Sequence, residues 1–254
     1  MSVLVVGISH RSAPVSLLER VTVGIAGSAE LLAELQRVPA IEEAVVLATC
    51  NRVEVYAEAD GFHAGLKAVS QTLSALSGVP LEQLSTHLYV HAEAHAVRHL
   101  FDVACGLDSM VIGESQILGQ LRRAYAASSG GAGRTLHELF QQALKVGKRA
   151  HAETGIDRVS KSLVDAGLVC AADLLGPLSD SRVLVVGAGS MGALAGATLR
   201  RAGAGQVVVA NRTAENARRL ATSLDGVGIG LDGLEQALID ADVVVSSTGA
   251  TGVV

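Results

Sequence analysis

The sequence has no tryptophan, and only three phenylalanines and three tyrosines among 254 residues. Wide aromatic platforms for stacking single-stranded nucleic acid are therefore not expected. The core has to be built from Ala, Val, Leu and Ile. Cysteine is equally scarce: Cys50, Cys105 and Cys170 are dispersed and show no CxxC spacing. An odd, scattered set of thiols excludes a disulfide framework and fits a reducing compartment, so a cytoplasmic protein is expected. Neither sign of charge dominates. Lys and Arg number 20 against 25 Asp and Glu, a net charge of −5, which excludes a general polyanion binder. No uninterrupted apolar stretch reaches membrane-spanning length. The opening run Val3–Ile8 is short and lacks a basic leader, so it reads as a strand and not as a signal peptide. What is abundant is apolar residue, 49% of the chain. That suffices for a substantial core, and the length suggests two domains.

Val3–Ile8, Ala44–Ala48 and Val53–Ala57 are compact apolar runs predicted as strands, and Leu88–Val90 as a short edge strand. Ala29–Arg37 and Gly65–Leu76 carry apolar residues at helical spacing. The order strand, helix, strand, strand, helix, strand predicts a ferredoxin-like α+β unit with added helices. From His91 to about Leu174 the pattern is helical, broken at Gly130-Gly131-Ala132-Gly133. Gly176-Pro177-Leu178-Ser179-Asp180 is a turn. Beyond it strands and helices alternate, the pattern of a doubly wound parallel sheet of Rossmann type. The expected division is a catalytic domain at 1–155, a helical connector at 156–180 and a nucleotide-binding domain at 181–254. About four strands are readable there, where such a sheet usually has about six. The sequence is therefore expected to be a fragment, with its last domain truncated.

Gly187-Ala188-Gly189-Ser190-Met191-Gly192 follows the apolar run Val183–Val186 and opens a helix. A GxGxxG pattern is weak alone and acquires meaning in this context. Gly187 permits the tight turn, Gly189 lets backbone approach a pyrophosphate, and Gly192 lets helix pack on strand. The next strand ends in Asn211-Arg212-Thr213, with no carboxylate to repel a ribose 2′-phosphate. Arg212 can pair with that phosphate, which favours NADPH over NADH. The alternative is a solvated loop arginine.

Cys50 lies in Thr49-Cys50-Asn51-Arg52, between two apolar runs. A thiol beside a cation can act as a nucleophile. A cysteine after a buried strand is more often a small core residue, and both readings stand on local grounds.

Longer stretches narrow the choice. Gly7-Ile8-Ser9-His10-Arg11-Ser12-Ala13-Pro14, Thr49-Cys50-Asn51-Arg52-Val53-Glu54-Val55-Tyr56, and Gly106-Leu107-Asp108-Ser109-Met110-Val111-Ile112-Gly113-Glu114-Ser115-Gln116-Ile117-Leu118-Gly119-Gln120 resemble the signature segments of glutamyl-tRNA reductases. The nucleotide-binding segment and Asn211-Arg212-Thr213 also fit, so the resemblance covers essentially the whole chain in order. One departure is Ser115, where the family usually has proline.

The resemblance implies reduction of glutamyl-tRNA(Glu) by NADPH to glutamate-1-semialdehyde, the first committed step of tetrapyrrole biosynthesis. It implies a Cys50 thioester as the intermediate. The histidine stripe of His91, His95 and His99 could mimic a metal site, but no other ligand cluster supports one, so no metal is expected. It implies that Arg52 holds the glutamyl γ-carboxylate, with pairing to Glu54 as the alternative. Thr49, Asn51, Ser109, Glu114, Ser115, Gln116 and Gln120 are the other implied substrate-binding residues. His99 is implied near the thiol, where a solvated or structural histidine would otherwise be assumed. It also implies a homodimer formed through a third, helical domain and hand-over of product to an aminomutase. His91 and His95 are expected on the same helix as His99, at four-residue spacing. Cys105 and Cys170 are expected in core packing. Arg122, Arg123, Arg134, Lys145, Lys148, Arg149, Arg158 and Lys161 outnumber nearby Glu138, Glu153 and Asp157. That stretch can meet transfer RNA phosphates, or be an ordinary solvated helix face. Two rivals stay open: a dehydrogenase of the shikimate type that uses no thiol, and a non-catalytic nucleotide- or tRNA-binding regulator.

Overall fold

The computed structural model describes residues 2–24, 28–49, 51–110, 112–113, 116–128, 131–154, 156 and 163–247. Contacts divide the chain into two units, residues 1–160 and 161–254.

In the first unit, β1 (Ser2–Ser9), β2 (Ile41–Ala48), β3 (Arg52–Ala59) and β4 (Tyr89–Ala92) form an antiparallel sheet. Its order among the described residues is β2-β3-β1-β4, the order expected of a ferredoxin-like unit. Successive side chains of a strand point to opposite faces. Leu4, Val6, Ile8, Val46, Val53 and Val55 accordingly meet α1 (Val15–Gly24), α2 (Ser28–Leu35) and α3 (Phe62–Ser77) through Leu17, Leu31, Leu35, Val69 and Leu73. A short α4 (Leu81–Ser85) leads to the edge strand. On the other face Val5, Val45, Leu47 and Tyr56 meet α5 (Ala94–Ala104), α6 (Gln116–Ala127) and α7 (Arg134–Glu153) through Leu100, Val103, Ile117, Leu121, Leu136 and Phe140. Both faces are covered, which explains why an antiparallel sheet reads as nearly continuous apolar runs.

Two buried carboxylates interrupt this core. Glu43 accepts from the backbone N–H groups of Thr135 at 3.1 Å and Leu136 at 2.7 Å, capping the otherwise unsatisfied start of α7. The other is Glu54, at the centre of the site described below.

One expectation is corrected here. His91 is not on a helix with His95 and His99. It lies in β4, paired with Val5 of β1. Leu4 to Gly7 bond Tyr89 to Ala92 along the open edge of β1, and that ladder outweighs the helical spacing. Glu93, at a φ of 50°, then turns the chain into α5.

In the second unit, α8 (Leu163–Leu175) precedes β5 (Arg182–Val186), α9 (Ser190–Arg201), β6 (Gln206–Ala210), α10 (Ala214–Ser223), β7 (Val227–Ile229), α11 (Leu234–Asp240) and β8 (Val243–Ser246). The four described strands are parallel in the order β7-β6-β5-β8. The chain therefore reverses its winding direction beside β5, and ligands of such sheets bind at that switch point. Val183 and Val185 pack on Leu199, Ala217 and Leu224, with Val164 and Leu168 of α8 against the same cluster. Cys105 is buried, as expected, but Cys170 is exposed, which corrects the expectation of core packing. With Val164 and Leu168 turned inward, a residue two positions after Leu168 falls on the opposite side of a helix.

Candidate active site

Arg52, Glu54 and Tyr56 alternate along β3 with Val53, Val55 and Ala57, so all three side chains lie on the sheet face covered by α5, α6 and α7. Glu54 is fully buried. Its Oε1 accepts from Arg52 Nη1 at 2.7 Å and from the Tyr89 hydroxyl at 2.6 Å, and lies 2.9 Å from His99 Nε2. Its Oε2 accepts from the Tyr56 hydroxyl at 2.5 Å. Burial alone pushes this carboxyl up. The hydrogen bond from His99 and the charge of Arg52 outweigh that and hold it at about 2. An ionised carboxylate only accepts, so His99 Nε2 is the donor. Burial and the adjacent Glu54 charge push both tyrosine hydroxyls above their ordinary range, so they remain donors.

Arg52 has 2% of its surface exposed. Burial opposes its charge, and Glu54, Tyr89 and Asp108 together outweigh burial and hold its pKa above the ordinary value. Nη1 also donates to Asp108 Oδ2 at 2.9 Å, and Nη2 to the Asp108 carbonyl. Asp108 Oδ1 pairs with Arg11 Nη1 at 2.9 Å. The Arg52–Glu54 pair, the alternative the sequence left open, is therefore formed. Among the described residues these bonds engage three of the five guanidinium donors, leaving two. Glu54, His99 and Asp108 offer ligand-type atoms within 4.8 Å of one another. The cation between the two carboxylates is the Arg52 guanidinium.

Cys50, Glu114 and Ser115 lie outside the described residues. The residues flanking position 50 are fixed by short bonds. Thr49 N–H reaches the Arg52 carbonyl at 2.8 Å, and Asn51 N–H reaches Thr49 Oγ1 at 3.2 Å. The Asn51 carbonyl accepts from His10 N–H at 3.0 Å. Ser109 is buried beside Asp108, its N–H on the Gly106 carbonyl. Gln116 begins α6, and Gln120, one turn on, lines a cleft of about 200 Å3 with Ser28, Val46, Ala48 and Arg123. Of the expected site residues, Arg52 and His99 thus converge on Glu54, and Gln120 shares a cleft with Ala48, next to Thr49. Glu54, Asp108 and Tyr89 were not singled out as site residues. Arg52, Glu54 and Tyr56 at every second position of an apolar strand carried a signal for the first. The other two come from distant loops and strands, and no spacing announces them. In the basic stretch, Arg134 pairs with Glu138 and Arg149 with Glu153, each at 3.0 Å and exposed. Arg158 and Lys161 lie outside the described residues.

In the second unit, Gly187 follows β5 with a φ of 111°. A Cβ on Gly187 would lie 2.5 Å from the Ser247 carbonyl oxygen, and one on Gly192 would lie 1.9 Å from the Gly187 carbonyl oxygen. Both must be glycine for the turn to close on α9. A Cβ on Gly189 meets nothing within 4 Å, so that backbone faces open space, as approach of a phosphate requires. Ser190 and Met191 start α9. Ala188 N–H donates to Asn211 Oδ1 at 3.3 Å, and Asn211 Nδ2 donates to the Thr213 carbonyl at 3.1 Å. Asn211 thereby ties the turn to the end of β6, leaving Arg212 exposed beside it. These residues fit a dinucleotide.

A parallel sheet of this winding with this turn is a dinucleotide-binding fold of the dehydrogenase class. Comparison agrees: residues 169–254 match the family model described as shikimate / quinate 5-dehydrogenase, and residues 6–154 match that of the glutamyl-tRNAGlu reductase N-terminal domain. The chain belongs to the glutamyl-tRNA reductase family. It is 47% identical over 290 residues to the glutamyl-tRNA reductase of Frankia alni, covering 100% of this chain and 62% of that protein. It is 52% identical over 267 residues to that of Streptomyces avermitilis, covering 100% of this chain and 47% of that one. The solved glutamyl-tRNA reductase of Methanopyrus kandleri is similar at a TM-score of 0.56 and 38% identity, over 98% of this chain and 59% of that one. The chain thus spans less than two thirds of these relatives. Among the described residues no helix is long and apolar enough to cross a membrane.

Proposed function

We propose that the full-length protein uses NADPH to reduce the glutamyl group of glutamyl-tRNA(Glu) to glutamate-1-semialdehyde, at the first committed step of tetrapyrrole biosynthesis. The observation that carries this reading is the buried cluster of Arg52 and Glu54, on the strand that follows position 50, with His99, in a chain of this family.

An aminoacyl ester is an activated acyl group. The Cys50 thiolate displaces the ribose oxygen and forms a thioester, which accepts hydride more readily than a carboxylate does. Arg52 binds the γ-carboxylate with the two donors that Glu54 and Asp108 leave over. A glutaminyl group lacks the charge and is selected against. His99 takes the thiol proton and passes it to the departing ribose oxygen, and the ionised Glu54 orients its ring and stabilises the imidazolium in between, as the carboxylate of a catalytic triad does. Thr49, Ser109, Gln116 and Gln120 supply neutral hydrogen bonds to the glutamyl group. The turn from Gly187 to Gly192 holds the pyrophosphate, and Arg212 holds the 2′-phosphate. When bound, the reduced nicotinamide would supply hydride to the thioester. The thiohemiacetal on Cys50 then collapses, releasing the semialdehyde and freeing the thiol.

The family resemblance further supports a homodimer and hand-over of the labile product to an aminomutase, and the dispersed thiols support a cytoplasmic setting. The test is turnover of glutamyl-tRNA by the full-length protein with NADPH. Semialdehyde is expected from wild type and none from Cys50→Ser. Undiminished product from Cys50→Ser would favour a dehydrogenase mechanism that uses no thiol.

A further inference from the structure

Glu54, Gly7 and Tyr89 are register partners across three adjacent strands: Gly7 of β1 pairs with Glu54 of β3 on one side and with Tyr89 of β4 on the other. Register partners project to the same face. Gly7 projects nothing, and the Tyr89 ring lies over it. A Cβ at Gly7 would sit 2.6 Å from the ring carbon that bears the hydroxyl and 2.7 Å from the hydroxyl oxygen itself. Only across a bare glycine does the Tyr89 hydroxyl span two strands and reach Glu54 Oε1, at 2.6 Å. That oxygen also takes Arg52 and His99. The same ring lies 5.5 Å from the His99 ring, while His91 stacks on His99 at 4.6 Å.

We propose that Tyr89, admitted by Gly7, is a positioning residue that fixes the Glu54 carboxylate and through it the orientation of His99. Its catalytic meaning rests on the reductase reading above. The groups facing His99 are Arg52 and Glu54 from β3, Tyr89 and His91 from β4, and Asp108 from the loop after α5, with His95 and Asp102 on its own helix. Of the donors on Oε1, the Tyr89 hydroxyl is the one given no role toward thiol or substrate, so its removal tests positioning alone. Deleting it takes one holding bond from the carboxylate, and the His99 ring bonded to the same oxygen loses its fixed orientation.

The experiment compares full-length wild type, Tyr89→Phe, Gly7→Ala and the double variant. The readouts are the His99 Nε2–H resonance by NMR, which reports the bond to Glu54, and the rate of Cys50 acylation by glutamyl-tRNA without NADPH. Circular dichroism and thermal melting check the fold. Tyr89→Phe is expected to move that resonance and to slow acylation about tenfold at saturating substrate, with little change in KM. Gly7→Ala pushes the far end of the tyrosine aside, so it should give the same signature from a different strand. The double variant should add nothing further. An unchanged His99 Nε2–H resonance in a folded Tyr89→Phe protein overturns the proposal, whatever the activity. A moved resonance in a protein whose wild type forms no thioester leaves the positioning role standing and removes the reductase reading.

Discussion

Arg52 and Asp108, 56 positions apart, are joined twice: Nη1 donates to Oδ2 at 2.9 Å and Nη2 donates to the Asp108 carbonyl. The first bond needs the aspartate side chain, and the second needs only the backbone. The loop between Gly106 and Gly113, closed by its own N–H to carbonyl bond of 2.8 Å, is thereby pinned to β3.

Replacing Asp108 by Asn keeps the backbone bond and a weaker side-chain acceptor, while Ala keeps only the backbone bond. Asp108→Ala should cost about 2 kcal/mol, the range for hydrogen bonds to charged groups, and Asn less. Urea denaturation measures both. Equal stability of wild type and Ala would mean that the side chain holds nothing in place.

Glu54→Gln leaves Arg52 buried beside a neutral amide. Breaking a buried pair from one side costs about 3–5 kcal/mol. The pH dependence carries a sign. The folded carboxyl is held at about 2, below its ordinary value of 4.5. Its contribution is therefore complete above the ordinary value and is lost as pH falls from there toward the folded value. Wild-type stability should fall across that window more steeply than that of Glu54→Gln. Parallel curves would contradict the assignment.

Lysine at position 52 is a point charge without a fork, and its three donors, matched to Glu54 and both Asp108 acceptors, leave none for a substrate carboxylate. Arg52→Lys in the full-length protein should lose preference for glutamyl- over glutaminyl-tRNA by about tenfold, read as the ratio of kcat/KM values. Unchanged selectivity would remove Arg52 from substrate recognition.

The turn after β5 separates two kinds of glycine. Gly192→Ala drives a methyl into the Gly187 carbonyl and should lower both stability and nucleotide affinity. Gly189→Ala fills open space and should leave melting unchanged while weakening NADPH binding at least about tenfold, by blocking close backbone approach. Calorimetric titration separates the two. Arg212→Ala should weaken NADPH and spare NADH.

The ferredoxin-like order and the parallel unit were legible because their strands are long, apolar and bounded by turn residues. The Gly187 turn was legible because three glycines at fixed spacing have a steric cause. Tyr89 was not. Its strand has four residues, and its role depends on the glycine opposite it, a pairing that no local pattern encodes. His91 was misplaced for a related reason, since helical spacing continues through β4 and only the open edge of β1 decides against it. For Arg52 the sequence left pairing with Glu54 as the alternative, and the side chain is paired with both Glu54 and Asp108, because a buried guanidinium needs counter-charge within the fold.

Mass spectrometry of the peptide containing Cys50, after full-length protein meets glutamyl-tRNA with NADPH withheld, decides whether the glutamyl group passes through the thiol. A glutamyl adduct on Cys50 that hydroxylamine removes, and that disappears when NADPH is added back as semialdehyde forms, is the predicted result. An unmodified Cys50 in a preparation that still yields semialdehyde on addition of NADPH would contradict it.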